Sequence, residues 1–425
     1  MIRSYRFLLH VSKKQREDLF NLLRLLRHFY NACLQERIEA WKKQGIKITK
    51  YDQYKSITEL KNTCEEYANI HTHLLQELVE RLENAFQAFF DRIKKGQKPG
   101  FPRFKSERKF NSFKFKDAGN NNGTAIVIEN KDNKFIAHKQ ARDPKEVVPL
   151  SLVSGKKRLR ISGIGNIKIK LHRDMEGCLK TICVVHDNGK FYAVFTRDKI
   201  ERIPKKKTGK EIGADVGISS FVTYSDGVKV GNQHHLRNHE RNINRLQNKL
   251  SGQVKGSKRY ETIRYQLANE YKHLANCRKD FIHKESRKIA NNYDLVSIEN
   301  LNIPQMVQSG NLAKEILDAG WGSFAEKLAY KVEETGGEFV KVDPAYTSQD
   351  CSGCGFRDPI RKTLSDRVHN CKECGLVLDR DHNAAINILQ RGKEKLEKEK
   401  LEKLREPKKL LARTKPSRIK SKDFI

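Results

Sequence analysis

Residues 346–389 read YTSQDCSGCGFRDPIRKTLSDRVHNCKECGLVLDRDHNAAINIL. The stretch contains two Cys-x-x-Cys pairs, Cys351 with Cys354 and Cys371 with Cys374. Sixteen residues separate the two pairs, a spacing typical of a structural zinc site. Because all four expected ligands are cysteines, the tetrahedral shell is complete without water, which predicts a structural rather than a catalytic zinc.

Four clustered cysteines could also form disulfides or be neighbours by chance. Gly355 and Gly375 each follow the second cysteine of a pair, where the chain must turn sharply around a metal. Their positions favour zinc, and His369 is not needed as a ligand because the four-cysteine set is complete. Two acids, Asp379 and Asp381, follow the last cysteine within a few residues, so the metal module adjoins candidate catalytic residues.

Composition indicates what kind of partner the chain has. The 425 residues are enough for two or three domains. The formal net charge is +33, with 85 Lys and Arg residues, which predicts a polyanionic partner, most simply nucleic acid. With no run of eighteen apolar residues and no signal-peptide pattern, we expect no membrane partner and a cytoplasmic location. The scattered cysteines are typical of reduced thiols, namely Cys33, Cys64, Cys178, Cys183 and Cys277.

The amino-terminal part is predicted to be helical. Residues 3–11 alternate weakly and predict one short strand, and residues 11–95 then show apolar residues at helical spacing. A capping box of Ser12 and Gln15 begins the first helix, and Gly45 ends it. Two further helical patterns follow, so the segment is predicted to be a helical bundle.

Residues 94–105, KKGQKPGFPRFK, interrupt the helical pattern with glycine and proline. Basic residues alternate here with phenylalanines, which suits phosphate contact combined with stacking on bases or sugars. A solvated loop whose phenylalanines pack into a neighbouring sheet explains the pattern equally well. The candidate nucleic-acid-binding residues are Phe101, Arg103, Phe104 and Lys105.

A β-rich module is predicted next, over residues 112–196. Short alternating segments are separated by turns such as Asp187-Asn188-Gly189. We expect a small barrel, followed by a basic linker at residues 203–210.

From residue 211 the pattern predicts three strands, helix, strand, helix and strand. This is the order of an RNase H-type fold, with the zinc stretch inserted before a last helix at Asn383–Leu389. The predicted strands are 212–218, 221–224, 228–230, 295–301 and 338–342, and the predicted helical regions are 234–291 and 323–334.

Acids in these elements suggest a metal site. Asp215 and Glu299 each lie in or at the end of an apolar strand, where an ionised carboxylate is costly without a partner. With Asp381 they could hold two Mg²⁺ ions about 3.5–4 Å apart, as in two-metal phosphodiester hydrolysis. Taken singly, each acid could equally cap a helix or form a salt bridge. Spacing alone does not separate Asp381 from Asp379, which share a face if the segment is extended.

With its two cysteine pairs and the segments around Asp215, Glu299 and Asp381, the chain resembles the TnpB family, transposon-encoded RNA-guided DNA nucleases related to the miniature type V CRISPR effectors. The resemblance spans nearly the whole chain and is weakest over residues 115–200 and after Arg391. The family pattern has Gly-Ile/Leu-Asp where this chain has Gly-Ala214-Asp, a departure that leaves the acid in place. The matching segments are residues 81–90, 100–105, 213–218, 225–227, 283–286, 298–303, 344–349 and 379–387 together with the two cysteine pairs.

The resemblance implies an endonuclease with a RuvC-like domain whose catalytic, magnesium-binding residues are Asp215, Glu299 and Asp381. Alignment with the family motif selects Asp381 over Asp379. A guide RNA would pair with double-stranded target DNA beside a short flanking motif, and two Mg²⁺ ions and one Zn²⁺ would be the cofactors. All three acids are present, which predicts cleavage. The alternatives are a catalytically silent RNA-guided DNA-binding regulator and, less favoured, a DNA-joining transposase.

The resemblance also implies a multidomain α+β layout. Its parts are a β-barrel wedge domain (1–10 and 96–203), a helical recognition domain (11–95), the RuvC-like nuclease domain (204–346 and 378–391) and a zinc ribbon that binds target nucleic acid (347–377). Composition rather than resemblance predicts a charged, flexible tail (392–425), whose Lys- and Glu-rich part, residues 393–406, is either a solvated helix or a disordered extension.

Overall fold

The computed structural model describes residues 2–116, 125–129, 134–135, 157–173, 175–198, 200, 204–308, 312–359 and 366–413. For residues 125–129, 134–135, 157 and 403–413 it describes the backbone alone. The chain divides into two compact units, residues 1–201 and 202–425.

The first unit contains the predicted helices. They are α1 (Lys13–Gln44), α2 (Lys50–Thr63), the single-turn α3 (Glu65–Ala68) and α4 (Thr72–Lys94). The capping box is confirmed, since the Ser12 side chain accepts from the Gln15 N–H and the Gln15 side chain accepts from the Ser12 N–H. Gly45 adopts a left-handed conformation (φ 66°) and ends α1, as predicted.

The same unit contains an eight-stranded antiparallel sheet. Its strands are β1 (Arg3–His10), β2 (Ser112–Phe115), β3 (Ala125–Glu129), β4 (Lys134–Phe135), β5 (Lys157–Ile161), β6 (Gly165–Ile169), β7 (Cys178–Asp187) and β8 (Lys190–Asp198), in the order β2-β7-β8-β1-β6-β5-β3-β4. The predicted turn between β7 and β8 is present, with positive φ at Asn188 and Gly189. The small barrel predicted from the sequence is seen as an open sheet among the strands described here, because β2 and β4 form its two edges.

Helices and sheet of this unit share one hydrophobic core. Phe7 of β1 and Phe195 of β8 point into the same cluster as Leu26 of α1 and Leu75 of α4, and all four are buried. The boundary expected near residue 95 therefore separates two kinds of secondary structure that fold around a single core.

The second unit is built on a five-stranded sheet. Its strands are β9 (Glu211–Val216), β10 (Ser220–Tyr224), β11 (Lys229–Gly231), β12 (Leu295–Glu299) and β13 (Glu338–Val342), in the order β11-β10-β9-β12-β13. β9, β12 and β13 are parallel, and β10 and β11 are antiparallel to their neighbours. The predicted succession of the five strands from residue 211 to 342 is thus observed.

Five helices connect these strands. They are α5 (His235–Ser251), α6 (Lys258–Asn292), α7 (Ile303–Gln308), α8 (Ala313–Ala319) and α9 (Trp321–Glu334). The region predicted as one helical stretch is a hairpin of α5 and α6, since the chain turns between Gly252 and Ser257. The short helices α7 and α8 were not predicted.

The last helix differs most from the prediction. After the short strands β14 (Val368–Asn370) and β15 (Val377–Asp379), α10 runs unbroken from Arg380 to Arg413. Leu396 packs against the sheet residues Leu295 and Val340, so the tail boundary expected after residue 391 lies inside a packed helix. Residues 414–425 of the predicted tail lie outside the described part. No helix in the described ranges combines the length and apolar character needed to cross a membrane.

Candidate functional site

Two of the predicted acids lie at one edge of the five-stranded sheet. Asp215 is close to the end of β9, and Glu299 is the last residue of β12. The two strands are parallel neighbours whose register reaches the pair Ala214 and Ile298, directly before the two acids. Because parallel strands end at the same edge, the fold brings both carboxylates to one place although 84 positions separate them in the sequence.

Asp379 and Asp381, which sequence spacing alone could not tell apart, make different contacts in the structure. Asp379 caps α10, since its Oδ1 accepts from the N–H groups of Asp381 and His382, both at 3.1 Å. Its Oδ2 accepts from Lys229 Nζ at 2.7 Å. Asp381 lies in the first turn of α10 with a mostly buried carboxylate, which Arg380 Nη2 contacts at 2.9 Å. The helix start thus engages Asp379 in capping, whereas Asp381 lies beside Arg380 and near enough to Asp215 for its charge to raise the pKa of that acid.

The three acids interact electrostatically. Burial raises the pKa of Asp215 well above its usual range, and the negative charges of Glu299 and Asp381 raise it further. Arg380 opposes these effects. Oxygen ligands gathered at a site of such negative potential suit a hard divalent cation, whose charge would stabilise the ionised carboxylates.

The three carboxylates are not drawn tightly together. Among the residues that the structure describes, two groups of three or more potential metal ligands have ligand atoms that all lie within 4.8 Å of one another. One group consists of Cys and the other of His and Cys, and neither contains an Asp or a Glu. The acids therefore stand further apart than that, with the guanidinium of Arg380 beside Asp381.

Sequence reasoning missed the residues that hold this edge in place. The Thr347 hydroxyl, which is buried, donates to Glu299 Oε1 at 2.5 Å. Asn387 Nδ2 donates to the carbonyls of Thr347 and Asp350, and Asn383 bonds to the Asp350 carbonyl and the Ser352 N–H. The spacing of two asparagines four residues apart was the available signal, because it places both on one face of a helix.

The four cysteines come together as predicted. Cys351 Sγ lies 3.6 Å from Cys374 Sγ, and Cys354 Sγ lies 3.6 Å from Cys371 Sγ. All four sulfurs lie within 4.8 Å of one another, and the thiols are free. This arrangement could bind zinc.

Both cysteine pairs have the same backbone turn. The Gly355 N–H donates to the Cys351 carbonyl at 2.8 Å, and the Gly375 N–H donates to the Cys371 carbonyl at 3.0 Å. Each glycine has a positive φ, 77° and 72°, which other residues adopt at a cost. The buried His369 is outside the four-residue group.

The candidate nucleic-acid-binding residues lie in the first unit. Phe101 and Phe104 are about half exposed, at 48% and 50%. The Phe101 ring packs edge-on against Phe86 and Phe89 of α4, so it rests on a helix rather than in a sheet. Arg103 is exposed, and the backbone of Lys105 is held by two hydrogen bonds to the Asn31 side chain of α1.

Three family models match the chain. One described as "Cas12f1-like, TNB domain" matches residues 321–388, and one described as "Probable transposase" (OrfB_IS605) matches residues 191–310. A "Helix-turn-helix domain" model of the same transposase group matches residues 1–46. Within the described residues 2–46, however, the structure has one strand and the single unbroken helix α1.

Similar proteins extend over most of the chain. A Streptomyces pristinaespiralis protein named as a candidate RNA-guided DNA endonuclease is 28% identical over 92% of this chain and 89% of its own length. InsQ of Escherichia coli K12, named likewise, is 25% identical over 92% of both chains. The CRISPR-associated endodeoxyribonuclease Cas12f1 of Sulfoacidibacillus thermotolerans is 33% identical over 27% of each chain.

The fold is also found in a solved structure. The mini-RNA-guided endonuclease CRISPR-Cas_phi3 superposes with a TM-score of 0.52 at 9% identity, over 92% of each chain. This likeness shows a shared multidomain α+β fold of the Cas12 type.

Proposed function

Since this chain belongs to the TnpB family, we propose that it is an RNA-guided DNA endonuclease. A bound guide RNA pairs with one strand of double-stranded target DNA beside a short flanking motif. The protein then needs to read few bases itself, because base pairing supplies the sequence specificity. The net charge of +33 supports this proposal, since both nucleic acids present phosphates to be neutralised.

The electrostatic coupling of Asp215 to Glu299 and Asp381, with Asp215 and Glu299 on neighbouring parallel strands, is the observation that carries the proposal. We infer that they are the catalytic residues of a RuvC-like domain, an RNase H-type fold with the sheet order β11-β10-β9-β12-β13. The three carboxylates would hold Mg²⁺, which when bound supplies an activated water and stabilises the leaving 3′-oxygen.

The chain's own residues prepare this site. Thr347 fixes the Glu299 carboxylate through its hydroxyl, and Asp379 caps the first turn of α10, which contains Asp381. Burial around Asp215 excludes bulk water, which would strengthen the attraction between its carboxylate and a bound cation.

A structural zinc at Cys351, Cys354, Cys371 and Cys374 would complete a zinc ribbon in residues 347–377 that contacts target nucleic acid. In the layout that we propose, residues 1–10 and 96–203 form the wedge, residues 11–95 form the recognition domain and the RuvC-like domain follows from residue 204. The division of the chain at residue 201 supports the last of these boundaries. Phe101, Arg103, Phe104 and Lys105 would contact the bound nucleic acid, because their exposed surface combines rings and positive charge.

The experiment begins with the RNA that co-purifies with the chain. Sequencing that RNA identifies the guide, and a plasmid carrying the matched sequence beside a randomised flank then tests cleavage with Mg²⁺ or with EDTA. We expect cutting that requires the guide, the match and Mg²⁺. Guide-dependent binding without cutting would identify a silent regulator, and joined DNA ends would identify a transposase; either result overturns the proposal.

A further inference from the structure

A second group of metal-ligand side chains lies between α5 and α6, apart from the four cysteines and the acids. It consists of His239 on α5 with His273 and Cys277 on α6. One ligand atom from each residue lies within 4.8 Å of the others. Neither the sequence motifs nor the proposed nuclease chemistry involves any of these three residues.

Helix geometry explains why the three side chains meet. His273 and Cys277 are four residues apart, so they lie one turn above each other on the same face of α6. On α5, His239 lies on the face that carries the buried residues Ile243 and Leu246, which turns it towards the helix hairpin interior. The rings of His239 and His273 meet edge-on, with centroids 5.0 Å apart.

A carboxylate completes the arrangement. Glu270 Oε1 lies 2.9 Å from His239 Nδ1, and both side chains are about four-fifths buried. Metal-bound histidines commonly donate their second ring N–H to a carboxylate, which fixes the tautomer and orients the ring. Glu270 is suited to that role and leaves the other ring nitrogen of His239 for a metal.

A simpler explanation is that these residues only hold the hairpin together. The His239–Glu270 contact and the 3.8 Å approach of Cys277 Sγ to His273 Nε2 would then be ordinary polar contacts between packed helices. That explanation accounts for the two pairwise contacts. It does not account for the position of one ligand atom from each of His239, His273 and Cys277 within 4.8 Å of the other two.

We propose that His239, His273 and Cys277 form a second zinc site, which clamps α5 to α6. Imidazole nitrogens and thiolates are typical ligands of Zn²⁺, whereas Mg²⁺ and Ca²⁺ prefer oxygen ligands. Three protein ligands leave one position of a tetrahedral shell for water. With Zn–N and Zn–S bonds of about 2.0–2.3 Å, ligand atoms approach roughly 3.5 Å, so side-chain rotation suffices to close the group.

The first test is the zinc content of the full chain, measured by elemental analysis after gel filtration. His273→Gln and Cys277→Ser should each lower the content by one equivalent relative to the wild type. Cys64→Ser is the matched control, because Cys64 is a partly buried thiol that belongs to neither group of close ligand atoms in the described residues. An unchanged zinc content in both His273→Gln and Cys277→Ser would overturn the proposal.

The second test uses Co²⁺ as a spectroscopic probe and does not depend on the four-cysteine site. The absorption difference between cobalt-loaded wild type and Cys277→Ser should contain one thiolate-to-cobalt charge-transfer band in the near ultraviolet. Identical spectra would contradict a metal–sulfur bond at this position. Circular dichroism of each variant shows whether the fold is intact, and His273→Gln, which keeps all cysteines, provides an independent variant if Cys277→Ser does not fold.

Discussion

The Thr347 hydroxyl donates a 2.5 Å hydrogen bond to Glu299 Oε1, and thereby links the segment before the first cysteine pair to the end of β12. Thr347 is 3% exposed, so water cannot replace this donor. A hydrogen bond to a charged group contributes about 1.5–3 kcal/mol. The acid at the sheet edge is therefore positioned by a residue that belongs to the loop leading to the metal module.

Thr347→Val should lower the cleavage rate roughly 10- to 100-fold, in proportion to that energy, because Glu299 loses the donor that orients it. Target binding should be unchanged. Single-turnover cleavage and filter binding measure the two quantities separately. Thr347→Ser restores the hydroxyl and should recover most of the rate; a serine variant as slow as the valine variant would count against positioning by this hydrogen bond.

Asp215→Asn and Glu299→Gln should abolish cleavage while RNA-dependent DNA binding is retained. Each substitution removes a negative charge from the proposed cation site but keeps the side-chain volume. Glu338→Gln is the control, since Glu338 is an exposed acid at the opposite end of the neighbouring strand β13. Wild-type turnover in either of the first two variants would exclude that acid from the catalytic set.

Cys354→Ser and Cys371→Ser should each lower the zinc content and the thermal stability, because binding of a structural zinc contributes to folding. A chelator should produce the same shift in the wild type and a much smaller one in the variants. Thermal melts with and without chelator give the comparison, with Cys183→Ser as a control in the other unit. Retention of all zinc in Cys354→Ser would contradict the four-cysteine site.

Gly392→Ala and Gly322→Ala should change stability in opposite directions. A Cβ at Gly392 would meet Ser297 Oγ and Cβ, at 1.9 and 2.6 Å, so α10 would have to move away from β12. Overpacking of this kind costs about 1–3 kcal/mol. A Cβ at Gly322 in α9 meets only Ile303 at 3.8 Å, so alanine there should stabilise the helix by up to about 1 kcal/mol. Urea unfolding of both variants measures the difference, and equal effects would be incompatible with these contacts.

Lys331 should make the stability depend on pH. Burial lowers the pKa of this lysine to about 8, and Nζ donates to the His283 carbonyl and to Ser286 Oγ. In the unfolded chain a lysine titrates near pH 10.4. Between about pH 8 and 10.4 the unfolded state therefore binds more protons than the folded state, so this lysine's contribution to the free energy of unfolding rises with pH.

The melting temperature of the wild type minus that of Lys331→Met should accordingly increase from pH 7.5 to pH 9.5. The same difference taken with Lys341→Met, which removes an exposed lysine of β13, should stay constant. A constant difference for Lys331→Met as well would show that Lys331 does not titrate in this range.

Local patterns predicted what depends on local physics. The Ser12 capping box, the positive-φ glycines of the cysteine pairs and the succession of strands along the second unit follow from turn chemistry and apolar spacing. The acids on β9 and β12 could be placed together from topology alone. The distinct roles of Asp379 and Asp381 could not, because they depend on where α10 begins to within one residue.

Long-range packing accounts for what was missed. α10 approaches β12 closely where Gly392 meets Ser297, and the Lys- and Glu-rich sequence of this stretch carries no local sign of that contact. The single core of the first unit likewise joins strands and helices far apart in sequence. The group of His239, His273 and Cys277 spans two helices at a spacing that matches no linear metal motif.

The hydrogen bonds made by two asparagines of α10 determine which segment can be exchanged in a chimera with a related protein. Asn387 holds the carbonyls of Thr347 and Asp350, and Asn383 holds Asp350 and Ser352. A chimera that swaps residues 347–377 alone would bring a foreign loop against these amides and so disturb the hydroxyl on Glu299. A chimera in which the exchanged segment runs from residue 347 to residue 387 takes both the asparagine amides and their backbone partners from the same parent protein.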